Sequence, residues 1–154
     1  MKQQSNSKTA LVYAVDLLSV RPYSVHQLTT KLKSKQYPPD EIATTIERLL
    51  AKHYLDDADL CVRQYQAYIR EARRSLKAIR YKLLEKGFST EDIQLAIDEA
   101  DIDIIDYEYS VCLKLLRSHY KVSTADKLKC QAYLYRKAFN SSSIRMAIED
   151  FLNV

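Results

Sequence analysis

The side chains able to do chemistry in this sequence are three histidines, three cysteines, an acidic run and two dense basic stretches. His26, His53 and His119 stand apart, and none has a nucleophile or a second ligand at a meaningful spacing. A lone helical histidine builds neither a catalytic pair nor a metal site. Cys61, Cys112 and Cys130 are odd in number, far apart and without a C-x-x-C pair, unlike a zinc site or a disulfide framework. Cys61 and Cys112 fall in apolar helical patterns, where a free thiol acts as a small hydrophobe. Asp98, Glu99, Asp101, Asp103 and Asp106 have the charge to hold a divalent cation. They lack the glycine turn and ligand spacing of a calcium loop, so the run reads as a solvated junction. The expectation is a binding protein that is not an enzyme, with no metal and no cofactor.

The basic residues carry more. Of the 154 residues, with a net charge of +4, the stretch 63–86 holds eight Arg or Lys against two acids. They are Arg63, Arg70, Arg73, Arg74, Lys77, Arg80, Lys82 and Lys86. Residues 87–106 then hold seven acids and no Lys or Arg. Residues 114–137 are basic again, with Lys127, Lys129, Arg136 and Lys137 at the end. Like charges one turn apart weaken a helix, so a surface that tolerates them points to an anionic partner. Nucleic-acid phosphate and an acidic protein face both fit. Tyr65, Tyr68, Tyr81, Tyr120, Tyr133 and Tyr135 interleave with these cations, as stacking platforms for unpaired bases would. Tyr65 and Tyr120 occupy apolar repeat positions and read as core-facing; Tyr133 and Tyr135 fit either role.

Helices must position these residues. The chain has one glycine, Gly87, where average usage predicts about eleven. No phosphate-cradling loop or dinucleotide fingerprint can be built from it, and primed hairpin turns are starved as well. No apolar run is long enough to span a membrane. The polar start, residues 1–8, reads as a frayed leader, and the whole as a cytoplasmic monomer.

Shifting the sequence against itself by 51 positions aligns its apolar residues without a gap. Leu11, Val62 and Leu113 coincide, as do Leu18, Ile69 and Tyr120, then Leu28, Ile79 and Cys130, and Leu32, Leu83 and Leu134. Tyr37, Phe88 and Phe139 follow, then Ile42, Ile93 and Ile144, and Ile46, Ile97 and Ile148. A fixed period marks tandem repeats that share buried faces. Within each, i, i+4 spacing is helical. The expected fold is all-α, three tandem three-helix repeats over 5–53, 54–104 and 105–154, forming an elongated, curved array. The helices fall near 8–20, 25–36 and 40–52, then 57–73, 76–86 and 90–100, then 105–120, 125–138 and 142–152.

The junctions have matching chemistry. Ser24 to Gln27, Ser89 to Asp92 and Ser123 to Asp126 fit the capping box. Asp56 and Asp57 are placed to cap the next helix. Pro38 and Pro39 stop a helix, and Gly87 ends one in the left-handed region.

Tyr54-Leu55-Asp56-Asp57, then Ile79-Arg80, Leu83 and Lys86-Gly87-Phe88, resemble the RecX family of recombination regulators. Leu28 to Leu32, Asp101-Ile102-Asp103 and Tyr133-Leu134-Tyr135-Arg136 extend the likeness over about residues 9–153. Leu55, Asp56, Asp57 and Gly87 match the family's motifs as structural residues. The resemblance implies a non-enzymatic modulator that lodges in the RecA–DNA filament and inhibits ATP hydrolysis, filament extension and strand exchange, so modulating DNA repair and the SOS response. Arg70, Arg73, Arg74, Lys77 and Arg80 lie where such proteins are basic. The alternative reading is a helical repeat that binds single- or double-stranded DNA through its basic faces, without RecA.

Overall fold

The computed structural model describes residues 8–153. Residues 1–7 of the leader read over 1–8, and Val154 at the end of the third repeat, lie outside the described residues. Among the described residues there are nine α-helices and no strand. The first triplet is α1 (Ala10–Val20), α2 (Val25–Ser34) and α3 (Pro39–Ala51). The second is α4 (Asp57–Glu71), α5 (Leu76–Glu85) and α6 (Thr90–Ala100). The third is α7 (Ile104–His119), α8 (Lys127–Arg136) and α9 (Ser141–Leu152). All the principal helix-to-helix contacts fall inside a triplet.

Three buried clusters result. Leu28, Leu32, Tyr37 and Ile42 belong to the first, Ile79, Leu83, Phe88 and Ile93 to the second, and Cys130, Leu134, Phe139 and Ile144 to the third. These are four of the aligned apolar triplets. The opening helices bury a different register from the one the alignment favoured. Leu11, Val62 and Leu113 are half-buried, whereas Ala10, Cys61 and Cys112 one position earlier are fully buried. Ala14, Tyr65 and Leu116 are buried one turn further on. The buried position one turn on thus takes a small side chain in the first triplet and a large one in the other two.

Caps define most helix starts. Ser24 and Gln27 form the full reciprocal capping box, and Ser89 accepts from the Asp92 N–H. Each such cap contributes about 1 kcal/mol. Two junctions differ from expectation. Ser123 sits in a 3₁₀ turn, Val122–Thr124, and Asp126 itself caps α8 by accepting the Leu128 and Lys129 N–H groups. A carboxylate three residues closer to the helix outcompetes the serine hydroxyl. Pro38 and Pro39 begin α3 rather than end α2, Pro39 taking the first helical position, where its missing N–H costs nothing. The helix before them ends through Gln36 in the left-handed region, φ 64°. Gly87 (φ 87°) and Ala138 (φ 65°) occupy the same place in the other triplets.

The triplets are joined by side chains that recur with the repeat. Asp57, on α4, accepts the N–H of Val25 at the start of α2 (3.0 Å). Glu108, 51 positions later on α7, accepts the N–H of Leu76 at the start of α5 (2.9 Å). Asp57 therefore does not cap its own helix; Asp56 does, accepting the Asp59 N–H. At the first joint Ser24 Oγ also donates to the Lys86 carbonyl (2.6 Å). A Cβ on Gly87 would lie 2.1 Å from the Cβ of His26, so this glycine both ends α5 and lets α2 approach. At the second joint Tyr107 donates to the Arg74 carbonyl (3.0 Å), and Lys114 Nζ to the carbonyls of Glu71 and Ala72.

Candidate functional site

The basic residues divide by what surrounds them. Arg63 pairs with Asp59 (2.9 Å), Lys82 with Glu85 (4.0 Å), and Arg73 and Arg74 both with Glu71 (3.5 and 3.3 Å). These pairs are exposed, worth at most about 1 kcal/mol each. Arg70 and Arg136 stand in the last turns of α4 and α8, and Lys137 is the C-cap of α8. Cations there interact favourably with the negative end of the helix dipole, so stability accounts for them in part.

Lys77, Lys127 and Lys129 have no such account. They occupy the first turns of α5 and α8, where the helix dipole is positive and a cation costs roughly 0.3–1 kcal/mol. Among the described residues none of the three, nor Arg80, has an ion pair. Lys77 and Arg80 are three residues apart on α5 and share a face. Exposed tyrosines stand near in sequence: Tyr81 at 64% and Tyr135 at 57%.

A second group gathers at the end of α4. Arg74 and Lys86 lie over the Tyr68 ring, 5.2 and 5.0 Å from its centroid. Lys86 Nζ also donates to Gln64 (2.8 Å). The local charge density of residues 63–86 thus splits into cations held on Tyr68 and Glu71, cations paired along their own helix with Asp59 and Glu85, and the cations Lys77 and Arg80, which have no ion pair among the described residues. Lys114 joins this group from the third triplet by bonding the α4 carbonyls. Lys86 and Lys114 lie 28 positions apart in sequence, and only the folded joint brings them to the same end of α4.

The other reactive groups are occupied structurally. Asp103 caps α7 by accepting from the Asp106 N–H, Asp101 ends α6 with φ 47°, and Asp98 accepts from Gln94. Among the described residues no group of three His, Cys, Asp or Glu is placed to hold a metal ion. Burial pushes the Cys61 thiol up to about 11 and Cys112 up to about 12, with nearby carboxylates adding to the effect. Such thiols are poor nucleophiles. Among the described residues no helix is long and apolar enough to cross a membrane.

Residues 10–49, which span α1 to α3, match the family model described as the first three-helix domain of RecX. The regulatory protein RecX of Thermotoga maritima is 32% identical, the match covering 99% of this chain and 88% of that protein. RecX of Chlorobium phaeobacteroides is 27% identical, covering 94% and 95%. Against RecX of Enterococcus faecalis the identity is 26%, and the chain spans 57% of that relative's length. Two solved structures share the fold. A crystal structure of regulatory protein RecX superposes with a TM-score of 0.76 at 23% identity, over 92% of this chain and 71% of the other. RecX from Lactobacillus salivarius gives 0.71 at 18% identity, over 94% and 96%.

Proposed function

The chain belongs to the RecX family of regulatory proteins, and from that premise we propose that it acts on the RecA–DNA filament. In this reading three three-helix repeats, 5–53, 54–104 and 105–154, dock as a monomer against the filament in the cytoplasm. They inhibit its ATPase, extension and recombinase activity without themselves catalysing a reaction, and so modulate DNA repair and the SOS response. The observation that carries it is the placement of Lys77, Lys127 and Lys129 against the helix dipole, with no ion pair among the described residues. Arg63, Arg70, Arg73, Arg74, Arg80, Lys82, Arg136 and Lys137 are proposed to add to the same contact with the filament or its DNA.

That placement supplies a test in which stability and function move in opposite directions. Lys127→Glu with Lys129→Glu puts acids in the first turn of α8, so thermal stability should hold or rise slightly. Inhibition of RecA ATPase on single-stranded DNA should then need about tenfold more protein, because like charges now face the partner. Unchanged inhibition overturns the site, and no inhibition by the unmutated chain at stoichiometric ratios overturns the function.

A second reading, nucleic-acid binding without RecA, is favoured by the exposed Tyr81 and Tyr135, which stand near these cations in sequence. It predicts affinity for bare DNA that falls steeply with salt as counterions are released. Titrations at low salt without saturable binding would remove it.

A further inference from the structure

We propose that His119, Tyr120 and Tyr133 form a stacking site for an unpaired nucleobase of a single-stranded nucleic acid, with Lys137 against Tyr133 and Lys121 next to Tyr120 in the chain for the flanking phosphates. The site rests on the second reading above and names its base-binding element.

The geometry is specific to the third triplet. His119 and Tyr133 are stacked face to face, 4.3 Å between centroids and 1° from parallel. Tyr120 stands edge-on to both, at 4.6 Å from His119 and 5.7 Å from Tyr133. Those three separations set Tyr120 beside the rim of the imidazole, nearly at right angles to the stacking axis. Lys137 Nζ lies over Tyr133, 5.2 Å from its centroid. Tyr133 therefore already has a ring and a cation against it, whereas the imidazole keeps the face turned away from Tyr133 clear of Tyr120.

Packing explains two of the three rings. Tyr120 and Tyr133 lie against the third core, and the Tyr120 hydroxyl donates to the Lys129 carbonyl (3.4 Å). His119 is exposed and is not part of that cluster. At the equivalent places the second triplet has Tyr68 and Lys82, and the first has Leu17 and Lys31. Only the third triplet has aromatic side chains at both positions. A rigid, flat, electron-rich surface with ammonium groups beside it suits a base and its phosphates, and stacking is sequence-tolerant because every base has a π-face.

The test compares a labelled short oligothymidylate with an abasic deoxyribose-phosphate strand of the same length, by fluorescence anisotropy with the full chain. The native chain should bind the thymidylate more tightly. His119→Ala should lose about tenfold on the thymidylate, leave the abasic strand unchanged and keep the melting temperature. His119→Phe, which restores a flat ring without the ring nitrogens, should retain binding. Equal affinity of the native chain for both strands, or no loss in His119→Ala, overturns the stacking site while leaving phosphate binding by the lysines standing. Failure of the native chain to bind either strand overturns the nucleic-acid reading and this site with it.

Discussion

At the joint between the first two triplets, Asp57 accepts a single N–H and Ser24 donates to a single carbonyl, with Gly87 allowing the approach of His26. Between the second and third triplets, Glu108 occupies the position of Asp57 but is 3% exposed and accepts three N–H donors. They are the Leu76 backbone, the Asn140 backbone and the Asn140 side chain. The Tyr107 ring there packs against both adjoining cores, and Ala72 packs on the third core from the second triplet. Among the described residues no residue packs against both the first and the second core, although Leu55, from the 54–104 repeat, closes the first. One repeat position has thus been used for two kinds of connection, a small polar contact and a buried, partly apolar one. The extra methylene of glutamate lets one carboxylate reach the start of α5 and the start of α9 together.

The contrast can be broken most severely at Glu108. Glu108→Ala leaves three donors without their acceptor in a buried place and should cost on the order of 3 kcal/mol or more, read by chemical denaturation. Only the Leu76 N–H crosses the joint, the two Asn140 donors lying within the third triplet; if the change costs no more than the equivalent one at Asp57, the buried acceptor adds nothing over the small polar contact. Gly87→Ala comes next, at about 1–3 kcal/mol for a left-handed position under steric pressure. The double variant His26→Gly, Gly87→Ala removes the clashing atoms and should recover part of that loss; no recovery would mean the glycine matters only for ending α5. Asp57→Ala should cost about 1 kcal/mol, and Asp57→Asn, which keeps an accepting oxygen, less.

Asp57 also sharpens the comparison through pH. Burial lifts its carboxyl above the usual carboxylate range, with Asp92 and Asp56 reinforcing the shift and the Val25 N–H opposing it. The folded chain then holds this proton more tightly than the unfolded one. This group's contribution to stability is therefore present below the ordinary carboxylate value and lost as pH rises through the raised one. Asp57→Asn should remove that slope from the acid side of the stability curve, and an unchanged slope would show that Asp57 does not titrate at this joint.

Much of the fold was legible because helix periodicity and capping are local. The nine helices and the roles of Ser24, Ser89, Asp56 and Gly87 as caps all follow from residues within one turn of each other. Two local junctions, at Ser123 and at Pro38–Pro39, went the other way, and the rest of what was not legible depends on partners 30 or more positions away, such as Asp57 with Val25 and Glu108 with Leu76. The signal was present in the 51-residue period, which sets an acid at both places, but it lies in polar residues while the alignment was read from apolar ones. The choice between Leu11 and Ala10 as the buried position was missed for a related reason. Alanine counts for little in an apolar pattern and for much where helices approach closely. For the surface cations, sequence supplied the density but not the sorting, since helix ends decide which charges the fold itself favours.

The way the cores are closed has a consequence for the order in which the chain acquires its structure. The first is complete once Leu55 is available, because every residue in it lies between Ala10 and Leu55. The second also packs against Tyr107, which belongs to the following triplet. During synthesis from the N-terminus, the first triplet can therefore settle while the rest is still being made, and loop closure never has to search far along the chain. The second must wait for the opening of α7, so the emerging protein gains its structure in two steps of unequal size rather than three equal ones.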